Sequence, residues 1–108
     1  AVEEQQGMLS EAISFYGRPA KVTYYFERGN LVLFIFTFVD QSSLATYTTT
    51  RNRLVSEYGA FPNAVRGSDE FGPKLCATRD VKRSAIDHCL REVNGVSQEQ
   101  IYFARTPG

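Results

Sequence analysis

The apolar residues of this chain recur with two different periods. From residue 20 to 27 they alternate, with Val22, Tyr24 and Phe26 on one side and Lys21, Thr23, Tyr25 and Glu27 on the other, the period of a strand. Arg28-Gly29-Asn30 reads as a turn, because Gly and Asn both tolerate positive φ. Residues 31–39 then form the second arm of a hairpin. This arm is apolar on both faces, with Leu31, Leu33, Ile35 and Val39 against Val32, Phe34, Phe36 and Phe38. Such a strand is expected at the centre of a sheet, covered on both sides.

Elsewhere the spacing is closer to that of a helix. Met8, Ala12 and Phe15, with Leu9, Ile13 and Tyr16, predict a helix from Glu3 or Met8 to Tyr16, closed by Gly17 and Pro19. Residues 43–58 predict a second, capped from Asp40-Gln41-Ser42-Ser43 and ended by Gly59, with Leu44, Tyr47, Arg51, Leu54, Val55 and Tyr58 facing inward. Val81, Ala85, Cys89 and Val93, at four-residue spacing, predict a third over residues 80–93, closed by Asn94-Gly95. Residues 63–73, rich in Gly, Asp, Asn, Ser and Pro, read as a loop. Short strands are expected at 74–78 and 100–105. The fold class expected is therefore α+β, in the order α-β-β-α-β-α-β: a mainly antiparallel sheet of about four strands carrying three helices, in one domain spanning residues 1–108.

Composition narrows the function classes. The 108 residues carry no net charge, with 12 basic and 12 acidic side chains. A nucleic-acid binder or a protein held on anionic lipid ordinarily carries a basic excess. The longest apolar run has nine residues with Thr37 inside it, far short of the roughly 20 that span a bilayer as a helix. Residues 1–7 are polar and acidic and do not read as a signal peptide.

Candidate chemistry is sparse. Asp87, His88 and Cys89 are consecutive, but neighbours on a helix point about 100° apart and cannot form a triad. On that helix His88 would be a surface residue beside a core cysteine. Arg79, Lys82, Arg83 and Arg91 would form a solvated face, with Arg83 and Arg91 each four residues from Asp87. The gap between Cys76 and Cys89 is not that of a metal-binding finger, and no phosphate loop, dinucleotide fingerprint or nucleophile elbow occurs. No catalytic residue, cofactor or metal is assigned. The two cysteines are expected to form a disulfide, with buried free thiols the alternative.

The surplus of apolar sheet surface is the strongest functional signal. It leads us to expect a small exported or envelope-associated protein-binding module, of adaptor, inhibitor or immunity type. Its expected working surface combines aromatic sheet residues, Tyr25, Phe34 and Phe36, with Arg66, Asp69, Glu70 and Phe71 of the 63–73 loop. A protein partner is expected, and a homodimer is compatible with the same surface. The alternatives are a carrier of a small apolar ligand held between sheet and helices, and an enzyme with an unrecognised site. An apolar cavity would favour the carrier.

Overall fold

The computed structural model describes residues 3–5, 8–70 and 72–105. They form one antiparallel sheet and one helix. In chain order the elements are β1 (Glu3–Gln5), β2 (Met8–Phe15), β3 (Arg18–Glu27), β4 (Asn30–Phe38), α1 (Leu44–Tyr58), β5 (Val65–Asp69), β6 (Gly72–Val81), β7 (Ser84–Val93) and β8 (Val96–Arg105). The strands lie in the order β1-β2-β3-β4-β8-β7-β6-β5. Each half of the chain is a meander, and the halves join where β4 pairs with β8.

This corrects the expected α+β sheet of four strands and three helices. Two of the three helices are strands. The reason lies in the spacing that suggested them. Val81, Ala85, Cys89 and Val93 are four residues apart, and four is a multiple of two, so they share one face of a strand as readily as one side of a helix. Leu9 and Ile13 have the same four-residue spacing and the same ambiguity. The 80–93 segment is the β6–β7 hairpin, turning at Lys82 with φ 49°. Gly17, read as a helix end, sits instead with Tyr16 in the two-residue turn between β2 and β3, at φ 73° and 54°. A helix C′ position and a tight hairpin turn both demand the left-handed region, so a glycine there cannot tell them apart. The 63–73 loop is likewise corrected: it contains β5 and the start of β6. β5 is exposed along its whole length, which leaves no apolar alternation to read.

The β3–β4 hairpin and α1 lie where the sequence places them. Ser43 caps the helix, its hydroxyl accepting from the Thr46 N–H while the Thr46 hydroxyl accepts from the Ser43 N–H. Gly59 closes it, donating to the Val55 carbonyl at 2.8 Å. The predicted inner stripe is correct at Tyr47 and Leu54, but Thr50 is buried and Leu44 is 62% exposed.

β4 is fourth of eight strands, as its two apolar faces suggest. Its Phe34, Phe36 and Phe38 point to the helix side, in register with Tyr24, Val22 and Ala20 of β3. The core is Ala20, Phe38, Leu54, Ile86 and Ile101. Leu33 and Ile35 point to the outer face, half-buried beside Tyr25, Thr23, Ala104 and Tyr102, with no described helix over them. Cover on both sides is therefore corrected to cover on one.

The sheet curls round the helix. Phe15 of β2 and Val81 of β6 line the same pocket although they lie five strand spacings apart, which in a flat sheet is about 24 Å.

Candidate functional site

The helix side of the sheet has two ends of opposite character. Along β8 the same face carries Glu99, Ile101 and Phe103, polar to aromatic; along β7 it carries His88, Ile86 and Ser84. The N-terminal half of α1 lies over the polar end and Tyr58 over the aromatic end.

At the polar end Glu99 and His88 are both fully buried. His88 Nε2 lies 2.6 Å from Glu99 Oε2, and Glu99 Oε1 accepts from Arg18 Nη1 at 2.8 Å. Arg18 also forks onto Asp40 through Nε and Nη2, at 2.9 and 2.8 Å, and donates to Thr50 and Ser42. All five of its N–H groups are thus engaged, and its guanidinium lies 3.9 Å from the Phe38 ring centre. From the helix, Arg51 Nε donates to His88 Nδ1 at 3.0 Å and Arg51 Nη2 to the Tyr47 hydroxyl at 2.7 Å. That hydroxyl donates to the His88 carbonyl at 2.7 Å, and the Tyr47 and His88 rings stack 4.0 Å apart.

The donor count fixes the protonation of His88. Arginine only donates, so Nδ1 must be the bare, accepting nitrogen, and Nε2 carries the hydrogen given to Glu99. The imidazole is neutral. Burial holds its pKa below the ordinary histidine value, against the pull of Glu99. Two guanidiniums, Arg18 and Arg51, and two carboxylates, Asp40 and Glu99, then balance. Both imidazole nitrogens are occupied, so the histidine has none left for a substrate proton. A cavity of about 310 Å³ opens beside Arg18, bounded also by Tyr16, Thr46 and Arg53, but Arg18 has no spare donor to offer it.

At the aromatic end the rings pack on one another. Phe34 stacks on Phe103 with centroids 4.8 Å apart, Phe15 on Phe36 at 4.1 Å, and Phe36 meets both Phe34 and Phe103 edge-on at 5.7 Å. With Tyr58, Val81, Ser84 and Ile86 they line a half-open pocket of about 250 Å³. An adjoining pocket of about 320 Å³, which shares Phe34, Ser84 and Phe103, runs on past Leu31 to Arg105.

The residues expected to form one surface are not together. Phe34 and Phe36 face the helix, while Tyr25 is on the outer face of β3. Arg66 and Asp69 lie on β5 at the far edge of the sheet, with β4, β8, β7 and β6 between them and β3. Glu70 is in the β5–β6 turn, and Phe71 lies outside the described residues. His88, expected at the surface, is buried, because the segment is a strand with its even-numbered positions toward the helix. Arg91 pairs with Asp69 at 2.8 Å rather than with Asp87, whose carboxylate accepts from Thr78. Arg79 donates to the Ala60 carbonyl.

Cys76 and Cys89 are bridged. They stand directly opposite on β6 and β7, Cα atoms 4.1 Å apart, on the outer face of the sheet. The expected pair is therefore present, on strands rather than on a strand and a helix. The bridge is compatible with an oxidising environment.

Sequence reasoning missed Glu99, Arg18 and Arg51 as a set. Glu99 lies one residue before the strand expected from residue 100, and extending that strand would have placed a charge on the face of Ile101 and Phe103. Among the described residues no group of three His, Cys, Asp or Glu is placed to hold a metal, and no helix is long and apolar enough to cross a membrane. No known family matches the sequence, and neither a curated protein nor a solved structure matches the chain.

Proposed function

We propose that this domain is a carrier of a small apolar ligand, working in an oxidising compartment outside the cytosol. The observation that carries this reading is the half-open pocket of about 250 Å³ lined by Phe15, Phe34, Phe36, Phe103 and Tyr58. It sits between sheet and helix, approaches the size of ordinary ligand sites, and adjoins a second pocket that would extend it. Its polar groups are few, with Ser84 at the junction of the two pockets and Tyr58 on the helix, so the ligand is compact and uncharged where it touches the rings. The Cys76–Cys89 bridge supports export to the periplasm, envelope or exterior.

Titration with benzene and with short n-alkanols, followed by NMR, tests the proposal. Shifts should concentrate at Phe34, Phe36, Ser84 and Phe103, and Ser84→Phe, which fills the junction, should weaken binding by roughly tenfold or more. Saturating benzene without any shift at these residues would refute it.

A second reading, a protein-binding module, is favoured by a separate observation: β5 is an edge strand with every residue exposed.

A further inference from the structure

We propose that β5 pairs with β5 of a second copy of this chain, antiparallel about a two-fold axis at Gly67. The inference does not depend on what the aromatic pocket holds.

The hydrogen-bond phase of the sheet shows which groups of β5 are unpaired within the chain. Cys76 and Cys89 are directly opposite with Cα atoms 4.1 Å apart, the close spacing of a non-hydrogen-bonded pair. The N–H and C=O of Cys76 therefore point away from β7, toward β5, where Cys76 faces Val65. The register of β5 and β6 runs without a break from Val65↔Cys76 to Asp69↔Gly72. Val65, Gly67 and Asp69 thus bond to β6. Pro73, which has no N–H, faces Ser68 at a position where none is required. The N–H and C=O groups of Arg66 and Ser68 point outward, along an edge beyond which the sheet has no further strand among the described residues.

These two residues flank Gly67 symmetrically. In a two-fold pair centred on Gly67, Arg66 meets Ser68 of the copy and Ser68 meets Arg66, so all four outward groups of each strand are satisfied by their own kind. Val65 meets Asp69, and no like charges are directly opposed, which centring on Arg66 would force. The central pair is Gly67 with Gly67, a closely spaced non-hydrogen-bonded pair where no side chain obstructs the approach. Natural sheets commonly blunt such an edge with charged side chains, proline or a bulge; Val-Arg-Gly-Ser-Asp carries the charges of Arg66 and Asp69, which are opposite in sign, and neither a proline nor a bulge. At the other edge β1 has only three residues. A five-residue edge makes a small interface, so the dimer is weak.

Gly67→Cys tests the geometry. Its Cβ would meet nothing within 4 Å in the monomer, and the two-fold axis brings it against its own copy. Under mild oxidation Gly67→Cys should give a linked dimer roughly tenfold faster than Ser68→Cys or Asp69→Cys. In parallel, sedimentation should show the unmodified protein associating as its concentration rises toward about 1 mM, and Ser68→Pro, which removes an outward N–H and no β5–β6 bond, should stay monomeric. Equal linking rates for the three cysteine variants, or a protein that is monomeric throughout that range, would overturn the proposal. Benzene binding to Ser84 and its neighbours would be unaffected by either result.

Discussion

The two ends of the helix face are built on the same strands and differ in what holds them. At the Glu99 end, polar side chains from β3, β7, β8 and α1 engage one another in fixed directions: Arg18 uses five donors and His88 both nitrogens. At the Phe103 end, rings pack by stacked and edge-on contact with no hydrogen bond to satisfy, and leave a pocket. A polar network is either complete or costly, because a buried charge that loses its partner keeps its desolvation penalty. A cluster of rings can lose contacts gradually. The first end can hold α1 in one register on the sheet, while the second has room to admit something else.

The largest effect should follow from breaking the polar end. Glu99→Ala leaves Arg18 and the fully buried His88 without their shared acceptor. It should cost about 3–5 kcal/mol, the range for removing one partner of a buried pair, measured by denaturant unfolding. Glu99→Gln should recover only part, since it retains an acceptor but not the charge. A loss under about 1 kcal/mol for Glu99→Ala would mean that water reaches the network.

The next test sharpens the contrast within β4 itself. Phe38 is almost wholly buried beneath Arg18, whereas Phe34 lines the pocket and already faces empty space on one side. Phe38→Ala should cost about 3–4 kcal/mol, and Phe34→Ala nearer 1–2, because a ring beside a void has fewer contacts to lose. Phe34→Ala should also enlarge the pocket and shift its preference toward longer alkanols. Equal destabilisation by the two substitutions would indicate that the pocket closes in solution.

How much of this could be read beforehand depended on period and on length. The β3–β4 hairpin and α1 were legible because Val22-Thr23-Tyr24-Tyr25 alternates and because Ser43 and Gly59 bracket a run longer than a strand. The β6–β7 hairpin was not, since Val81, Ala85, Cys89 and Val93 satisfy either period. The pairing of Cys76 with Cys89 is legible under either period, because a hairpin also brings them together. The polar end could not be assembled from the sequence: Arg18, Asp40, Arg51, His88 and Glu99 come from five separate segments, and only the order of the strands makes them neighbours. The aromatic end was half visible, Phe34 and Phe36 from their alternation, Phe15 and Phe103 only once β2 and β8 are placed.

The smallest effect is the response to pH, and it should be confined to the polar end. The groups that face His88 are Glu99 from β8 and Arg51 and Tyr47 from α1, with Arg18 from β3 and Asp40 behind Glu99. Protonating His88 would put a hydrogen on Nδ1, directly against the Arg51 donor, and add a positive charge to a balanced set. Burial first, and the two guanidiniums after it, hold its folded pKa below the unfolded value of about 6.5. The unfolded chain then binds the proton first as pH falls, so stability is fully present above about 6.5 and is lost as pH drops from there through the folded pKa. Asp40, whose carboxyl the Arg18 hydrogen bonds hold below its usual range, gives a separate loss starting only near pH 4, about its unfolded value. Unfolding free energies measured between about pH 8 and 5 should decline in the native chain and stay flatter in His88→Gln. Tyr58, the one titratable residue lining the pocket, is raised by burial and stays neutral throughout, so benzene affinity should not change across the same range while the protein remains folded. A native chain whose stability is level from pH 8 to about 5 would show that His88 is not held neutral in the folded protein, and the two ends would no longer differ in their electrostatics.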